Sequence, residues 1–311
     1  MSNYLVTGGA GFIGSNIVEA LVKQGESVRV LDNCATERLS NLKAIIDQIE
    51  LVQGDIRDLA LVREAVKDID YIFHQAALPS VARSVDDPIT TNEINITGTL
   101  NIFVAARDEK VKRVVYASSS SVYGDSNTLP KREDMPADPL SPYAVSKYTG
   151  EQYCKVFYSI YGLETVILRY FNVFGQRQNL NSQYSAAIPI FIKAFSDGKS
   201  PTIYGDGEQS RDFTFVENVV SANLLACHAD GVAGEAFNIA CGKHISLNDL
   251  ILTIKNLLNS SVEPVYEQAR KGDVQHSLAD ISKAQKLLGY KPKVDLEEGL
   301  RRTIEWIECC K

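Results

Sequence analysis

Short runs of apolar, β-branched residues alternate with longer segments of helical periodicity through the first half of the chain. The runs predicted as strands are YLVTG, SVRVLD, IELVQGD, DYIFHQAA and RVVYASSS. Apolar residues recur at helical spacing around residues 12–24, 58–67 and 91–108, which lie between these runs. Because alternating strands and helices are joined by right-handed crossovers, the pattern predicts an α/β fold with a doubly wound parallel sheet.

The pattern loosens after about residue 175. Loops such as FGQRQNLNSQYS lead into shorter helices, and the strand-like runs EAFNIA and VEPVYEQ return between them. We therefore predict a nucleotide-binding domain over residues 1–175, to which the segment of about 208–240 returns. A smaller α/β domain over residues 176–311 is expected to close over it.

Charge and composition exclude several functional classes. The net charge of −7 and the pI of about 5.3 provide no basic field for nucleic acid or anionic lipid. No apolar run approaches the roughly 20 residues of a membrane helix, and the first residues do not resemble a secretion signal. The six cysteines are scattered, which is typical of reduced thiols in the cytoplasm, and the four histidines form no metal-binding pattern.

The segment VTGGAGFIGS places Gly8, Gly11 and Gly14 at three-residue spacing between the first strand and the first helix. The first glycine permits a sharp turn, the second lets backbone approach a pyrophosphate, and the third brings helix and strand together. The N-terminus of the helix then offers free N–H groups to phosphate. The alternative is a glycine-rich turn without a ligand.

An acidic residue at the end of the second strand favours a Rossmann-like dinucleotide site. Asp32 follows Gly14 by eighteen positions, where a carboxylate can accept hydrogen bonds from ribose hydroxyls. Its charge would repel a 2′-phosphate and so favours NAD over NADP, although Arg38 nearby leaves NADP open. Asp55 and Ile56, in GDIRD after the third strand, are placed to meet the adenine.

The segment SPYAVSKYTG places Tyr143 and Lys147 on one face of a helix. A free tyrosine, with a pKa of about 10, is a poor base at neutral pH. A neighbouring ammonium favours the phenolate, so we expect Lys147 and an oxidised nicotinamide to lower the Tyr143 pKa. Tyr-x-x-x-Lys also occurs by chance, but a dinucleotide site upstream favours proton transfer. The serines of ASSSSVYG, at the end of the fifth strand, can supply a hydroxyl beside Tyr143.

Taken together, these motifs resemble those of extended short-chain dehydrogenases/reductases, and specifically of the UDP-hexose 4-epimerases. The resemblance runs from end to end of the chain. It is carried by TGGAGFIGS, LDN, GDIRD, HQAA, NITGTLNI, ASSSSVYGD, SPYAVSKYTGE, LRYFNVFGQRQ, GDGEQSRDFTFVENV and RKGDVQHSLADISKAQKLLGYKP.

The resemblance implies an enzyme with tightly bound NAD. Tyr143 would take the proton of the sugar 4-hydroxyl while C4 gives up its hydride, and the 4-ketose would turn over before the hydride returns. Lys147 would hydrogen-bond the nicotinamide ribose. Ser119 aligns with the catalytic serine or threonine of the family, with Ser120 and Ser121 as supporting hydroxyls. Helices near 92–108 and 143–161 correspond to the dimer interface of relatives, so a homodimer is expected.

Motifs and resemblance together give two sets of candidate contacts. The predicted cofactor-binding residues are Gly8, Gly11, Phe12, Ile13, Gly14, Asp32, Asn33, Asp55, Ile56, Gln75, Ala76, Ala77, Asn95, Ser118, Tyr143, Lys147 and Tyr170. The predicted substrate-binding residues, in a nucleotide-sugar site, are Ser80, Arg83, Ser119, Tyr143, Asn172, Ala186, Ile188, Tyr204, Arg211, Arg270, Asp273 and Ser277.

Departures from family patterns narrow the reaction. Sugar dehydratases and decarboxylases of the family carry carboxylates where this chain has Ser120 and Ser121, so plain epimerisation is favoured. Members restricted to glucose and galactose carry a tyrosine and an asparagine where this chain has Ser277 and Ala186. These smaller residues leave room for a 2-acetamido group and predict UDP-N-acetylglucosamine/UDP-N-acetylgalactosamine as substrates, with UDP-glucose/UDP-galactose as a second pair.

Three alternatives stay open at this point. Arg83, in SVARS, leaves a UDP-glucuronate 4-epimerase open. The fold and the Tyr/Lys pair also permit a nucleotide-sugar oxidoreductase that releases reduced cofactor in each cycle. A non-catalytic nucleotide sensor would share the fold, but the intact tyrosine, lysine and serine argue against it.

Overall fold

A seven-stranded parallel sheet lies at the centre of the protein in the computed structural model, which describes residues 1–35, 39–179, 187–269 and 275–309. The sheet has the order β11-β6-β5-β4-β1-β2-β3. Its strands are β1 (Asn3–Thr7), β2 (Ser27–Asp32), β3 (Glu50–Gln53), β4 (Tyr71–His74), β5 (Arg113–Ser119), β6 (Glu164–Tyr170) and β11 (Ala236–Ile239). The predicted α/β fold with a doubly wound sheet is confirmed.

Helices connect these strands on both faces of the sheet. They are α1 (Phe12–Lys23), α2 (Leu59–Val66), α3 (Val81–Asp86), α4 (Pro88–Asn92), α5 (Thr99–Asp108), α6 (Pro142–Tyr161), α7 (Ala187–Ser196), α8 (Val216–His228), α9 (Leu247–Leu257), α10 (Ser282–Leu288) and α11 (Leu296–Cys309). Short 3₁₀ turns occupy Leu39–Leu42, Ile46–Gln48 and Ser120–Tyr123. None of the helices in the described ranges combines the length and apolar character needed to span a membrane.

The predicted helical segment 91–108 is not one regular helix. It begins earlier, at Pro88, and a π-helical turn over Glu93–Gly98 separates α4 from α5. Gly98 lies where an added Cβ would be 2.5 Å from the side chain of Ile56, so the helix and the β3–α2 loop pack closely there. Apolar periodicity does not distinguish a π-helical turn from an α-helix, which is why the sequence predicted a single helix.

The sheet is buried on both faces because its strands alternate between two apolar cores. On β1, Val6 joins the core formed with α1 and α8, whereas Leu5 joins the core formed with α2, α5 and α6. On β5, Val115 and Val114 divide in the same way. Two buried faces explain why the strands read as continuous apolar runs.

Strand order reverses between β1 and β4. The chain moves outward from β1 through β2 and β3, and then returns to the other side of β1 to form β4, β5 and β6. The loops that leave β1 and β4 therefore diverge at the carboxyl edge of the sheet, which opens a crevice there. This crevice is where a doubly wound sheet binds its ligand.

The chain beyond residue 175 divides between the sheet and a smaller lobe. Strand β11 pairs with β6, and α8 packs on the sheet, so part of this region returns to the first domain. Helices α7, α9 and α11 surround a third apolar core. The lobe also contains three two-stranded pairings, made by β7 (Val173–Phe174), β8 (Thr202–Tyr204), β9 (Ser210–Arg211), β10 (Thr214–Phe215), β12 (Ile245–Ser246) and β13 (Val265–Glu267).

A buried ion pair fastens α6 to the sheet. The Glu151 carboxylate accepts hydrogen bonds from Arg169 Nε at 2.8 Å and Nη2 at 2.6 Å, and from Ser118 Oγ at 2.6 Å. Glu151 is fully buried and Arg169 is only 4% exposed. Each charge therefore depends on the other for its solvation.

We predict that Glu151→Gln lowers the free energy of unfolding by about 3–5 kcal/mol, because it leaves the Arg169 guanidinium buried without a counter-charge. Chemical denaturation measures the loss. The matched control is Glu64→Gln, which breaks the exposed Glu64–Lys67 pair and should leave the unfolding midpoint unchanged. Equal effects of the two variants would contradict this account.

Candidate active site

A cavity opens at the carboxyl edge of the sheet, at the point where strand order reverses. Its walls come from the loops after β1 to β5, from α6 and from the end of β6. It is lined by Gly8, Gly11, Phe12, Ile13, Gly14, Leu31, Asp32, Asn33, Ala35, Gly54, Asp55, Ile56, Gln75, Ala76, Ala77, Leu78, Pro79, Ile94, Ala117, Ser118, Tyr143, Lys147 and Tyr170.

The glycine loop packs so closely at Gly8 and Gly14 that neither position has space for a side chain. A Cβ at Gly14 would lie 2.1 Å from the Gly8 carbonyl oxygen, and one at Gly8, which has a φ of 67°, would lie 2.7 Å from the Ala76 amide nitrogen. Gly11 caps α1 without a side chain, and the first turn of the helix carries no acidic residue. The loop therefore fits a pyrophosphate held by the N–H groups of α1.

Two carboxylates mark the other end of the cavity. Asp32 accepts hydrogen bonds from the backbone N–H of Ala10 at 2.9 Å and of Cys34 at 2.8 Å, which orients it at the end of β2. Asp55 bonds Asn33, and its ion pair with Arg57 lowers the pKa of the carboxyl. Carboxylate oxygens keep free lone pairs after such bonds, so this end fits ribose hydroxyls.

Tyr143 and Lys147 lie at the inner end of the same cavity. The Lys147 ammonium donates a hydrogen bond to the Ala117 carbonyl at 2.8 Å and lies 5.9 Å from the centre of the Tyr143 ring. Lys147 is only 4% exposed. Ser119 hydrogen-bonds the Tyr143 phenol, and its Oγ also accepts from the Ser121 N–H at 3.2 Å. The structure thus brings together the hydroxyl, the phenol and the ammonium that the sequence singled out.

The prediction that the pKa of Tyr143 is lowered is wrong when only the protein's own groups act on it, without a nicotinamide. Burial of the phenol raises the pKa of Tyr143 to about 12, and the hydrogen bond with Ser119 offsets this only in part. Burial lowers the pKa of Lys147 to about 8, because desolvation disfavours its charged form. Desolvation outweighs the neighbouring charge here, and a sequence does not display how deeply a side chain is buried.

A second cavity lies in the smaller lobe. It is lined mainly by apolar and aromatic side chains with a few polar groups: Asn172, Val173, Phe174, Ala187, Ile188, Ile190, Phe191, Ala194, Ser200, Pro201, Thr202, Ile203, Tyr204, Gln209, Arg211, Phe213 and Leu247. Four predicted substrate contacts, Asn172, Ile188, Tyr204 and Arg211, lie in this wall. Ser277 is half-buried beside it and donates its N–H to the Ser210 carbonyl at 3.0 Å.

Comparison with known proteins assigns the chain to a family. The model of the NAD dependent epimerase/dehydratase family matches residues 4–240. The chain belongs to this family. A solved UDP-N-acetylglucosamine 4-epimerase from Methanobrevibacter ruminantium M1, in complex with UDP-N-acetylmuramic acid, is 43% identical with a TM-score of 0.96, over 100% of this chain and 99% of that one.

Two curated relatives of the family act on different sugars. The UDP-glucose 4-epimerase of Mycolicibacterium smegmatis is 38% identical over 97% of each chain. The UDP-glucuronate 4-epimerase of Thermodesulfobacterium geofontis is 36% identical over 98% of this chain and 96% of its own. The resemblance to extended short-chain dehydrogenases/reductases is thereby confirmed, and NAD is the cofactor of the family.

Asn95 is the one predicted NAD contact that does not line the first cavity. It is 1% exposed, and its amide bonds the backbone of Leu78, at 2.8 Å to the N–H, and the Ser146 hydroxyl at 3.1 Å. Asn95 therefore supports the cavity wall from behind. Tyr170 does line the wall, and its hydroxyl is held by Asn223 at 3.0 Å and by Gln75.

Other predicted substrate contacts either line neither cavity or lie outside the described residues. Ser80 caps α3 and Arg83 lies within it, but neither lines the two cavities. Arg38, Ala186, Arg270 and Asp273 lie outside the described residues. The sequence also missed apolar wall residues such as Leu78 and Phe213. An apolar residue in a binding wall has the same sequence signal as one in the core, so no pattern marked them.

We predict that Gly14→Ala abolishes NAD retention, because the added Cβ would collide with the Gly8 carbonyl and push α1 away from β1. Alanine is the better helix former, so the loss would not come from helix propensity. Nicotinamide released from denatured protein measures the bound fraction. The control Gly25→Ala has open space around the new Cβ but a φ of 78°. It should lower stability and leave bound NAD unchanged; normal NAD content in Gly14→Ala would refute the close-approach argument.

We also predict that kcat/KM rises as the pH rises to about 8 and then levels off. Burial lowers the pKa of Lys147 to about 8, and when the two groups hold one proton between them, one of the two forms is the phenolate–ammonium pair. In Lys147→Met only the phenol titrates, with its pKa raised to about 12, so the rise should continue beyond pH 9. A pH profile with the same midpoint in both proteins would rule out the coupled pair.

Proposed function

We propose that this protein epimerises C4 of UDP-N-acetylglucosamine and UDP-N-acetylgalactosamine, with UDP-glucose and UDP-galactose as a second pair of substrates. At the coarser level it is an NAD-dependent UDP-sugar 4-epimerase, and thus an isomerase. The observation that carries the proposal is the Ser119–Tyr143–Lys147 group at the inner end of the crevice, in which Lys147 is buried and the other two residues are half-buried.

Different groups of residues in the first cavity suit different parts of NAD. The N–H groups of α1 and the glycine loop would hold the pyrophosphate, Asp32 the adenosine ribose, and Asp55 and Ile56 the adenine. Lys147 would bond the nicotinamide ribose. When bound, NAD supplies reversible hydride acceptance at the sugar carbon.

The chain's own groups handle the proton. Tyr143 takes the proton of the 4-hydroxyl as C4 is oxidised, and returns it to the 4-keto oxygen after the sugar has turned. Lys147 stabilises the phenolate by its charge, and Ser119 holds the sugar oxygen within reach of the phenol. Lys147 is buried, and Ser119 and Tyr143 are half-buried, so access of water is restricted, which strengthens these interactions.

The groups around Tyr143 favour epimerisation over elimination or decarboxylation. The residues that follow Ser119 in the 3₁₀ turn are Ser120 and Ser121, so this turn places no carboxylate next to the substrate. The Ser121 hydroxyl is buried and has no hydrogen-bond partner among the described residues. It is a neutral group, which supplies neither an acid nor a base for elimination or decarboxylation. Plain epimerisation requires no further acid or base.

The small side chain of Ser277 supports the choice of an N-acetylated sugar. Ser277 is half-buried, and its backbone is fixed to Ser210, next to the Arg211 strand. A serine at this point leaves the volume that a tyrosine ring would fill. The solved epimerase that is 43% identical acts on UDP-N-acetylglucosamine, which agrees with a roomy pocket.

A uronic-acid substrate is the second candidate, because a UDP-glucuronate 4-epimerase is among the relatives. Its carboxylate would require a cation near C6. Arg83 is half-buried in α3, close along the chain to the first cavity, and is the candidate for that role.

A homodimer in the cytoplasm completes the proposal. Apolar side chains are exposed along the candidate dimer helices, with Ile89 of α4 at 71% and Val145 and Val156 of α6 at 46% and 41%. A second copy would bury this face. The free thiols of Cys34, Cys154, Cys227, Cys241 and Cys309 agree with a reducing compartment.

The test is to incubate purified protein, without added cofactor, separately with UDP-N-acetylglucosamine, UDP-glucose and UDP-glucuronate, and to resolve the products by proton NMR. Formation of UDP-N-acetylgalactosamine is the expected result. Conversion of UDP-glucuronate alone would replace the proposed substrate by the uronic acid and leave the mechanism intact.

We predict that Ser277→Tyr abolishes turnover of UDP-N-acetylglucosamine, because the ring fills the space needed by the 2-acetamido group. Turnover of UDP-glucose, which lacks that group, should stay within about threefold of wild type and serves as the internal control. If both activities fell equally, Ser277 would not set the size of the pocket.

A further inference from the structure

The first turn of α6 leaves one backbone donor that its own cap does not satisfy. Ser141 caps the helix by accepting from the Ala144 N–H at 3.1 Å, and Pro142 has no N–H to satisfy. The donor between them is the backbone N–H of Tyr143. In an α-helix the first N–H groups have no partner within the helix, so a group from elsewhere must accept this bond.

Ser84 of α3 supplies that acceptor. The Tyr143 N–H donates to Ser84 Oγ at 3.0 Å, across 59 positions in sequence. The Ser84 hydroxyl in turn donates to the Val81 carbonyl at 2.6 Å, which fixes its proton and directs a lone pair at Tyr143. Ser84 is fully buried, so water cannot take its place.

This bond joins the catalytic helix to a short helix that lies partly at the surface. The neighbours of Ser84 in α3 are exposed, Val81 by 49% and Val85 by 62%. The same short helix carries Ser80 and Arg83, both predicted substrate contacts, and the Ser80 carbonyl accepts the Ser84 N–H at 3.1 Å. Movement of α3 would therefore reach the backbone of Tyr143 through this hydrogen bond.

We propose that Ser84 is a positioning residue for the reaction: its hydroxyl fixes the backbone of Tyr143 and couples α3 to the proton-transferring phenol. This proposal rests on the proposed role of Tyr143 in proton transfer. Without the Ser84 hydroxyl, the backbone N–H of Tyr143 would have no hydrogen-bond acceptor. The Tyr143 side chain would then lose the alignment that proton transfer requires, while the binding surfaces for NAD and UDP would stay in place.

The test is Ser84→Ala, assayed with a UDP-sugar that the wild-type protein epimerises. We expect kcat to fall by roughly tenfold or more, KM to change by less than about twofold, and bound NAD to stay constant. Because the chemical step becomes slower, the isotope effect on kcat with substrate deuterated at C4 should increase. A merely structural residue would not change the isotope effect.

Thr91→Val is the matched control. Thr91 is 1% exposed, and its hydroxyl donates to the carbonyl of Asp87, the N-cap of α4, at 2.9 Å. It should lose a similar amount of thermal stability and keep the wild-type kcat and isotope effect. An unchanged kcat in Ser84→Ala, or an equal fall in both variants, would overturn the proposal.

Hydrogen exchange separates this proposal from the assignment of the reaction. In Ser84→Ala, the amide of Tyr143 should exchange faster than in wild type, whatever sugar the enzyme accepts. Unchanged protection of that amide would show that Ser84 does not hold it, even if UDP-sugars are epimerised as proposed.

Discussion

The close approach of α1 to the end of β1 is the constraint on which the site depends. Gly14 and Gly8 lie so near each other that a single Cβ would bring atoms within 2.1 Å. This contact points the N-terminus of α1 into the crevice where strand order reverses between β1 and β4. The crevice in turn receives the loop after β4 and helix α6. The glycine turn and the Tyr143–Lys147 face, far apart in sequence, thereby line one cavity, as the proposed roles in phosphate binding and proton transfer require.

Desolvation controls the protonation of Tyr143 and Lys147 at the inner end of the first cavity. Lys147 is buried and Tyr143 is half-buried, and desolvation alone would keep the phenol neutral and weaken the ammonium charge. Two neighbouring groups that hold one proton between them can present the phenolate–ammonium form, and a positive charge on the ligand side would favour it further. Glu151 of the same helix forms a buried ion pair with Arg169 of β6, which holds α6 against the sheet and keeps Lys147 at the Ala117 carbonyl.

Much of this arrangement could be predicted from local patterns. The glycine spacing, the acidic residue after the second strand and the Tyr-x-x-x-Lys face each report a backbone or charge requirement that few residue types meet. What the sequence did not predict depends on three-dimensional neighbours: the raised Tyr143 pKa, the position of Asn95 behind the cavity wall, and the π-helical turn over Glu93–Gly98. The hydrogen bond between Ser84 and Tyr143 belongs to the same group, because nothing in either local sequence indicates the other.

The central claim is that hydride leaves C4 and returns to the same sugar within one closed site. The most direct measurement uses UDP-sugar deuterated at C4, incubated with the purified protein in ordinary water without added nicotinamide, and follows the label by NMR and mass spectrometry. The account predicts that the epimerised product retains its deuterium at C4 and that none appears in free nicotinamide. Loss of the label to water, or its accumulation in released reduced cofactor, would contradict the account and favour a net oxidoreductase.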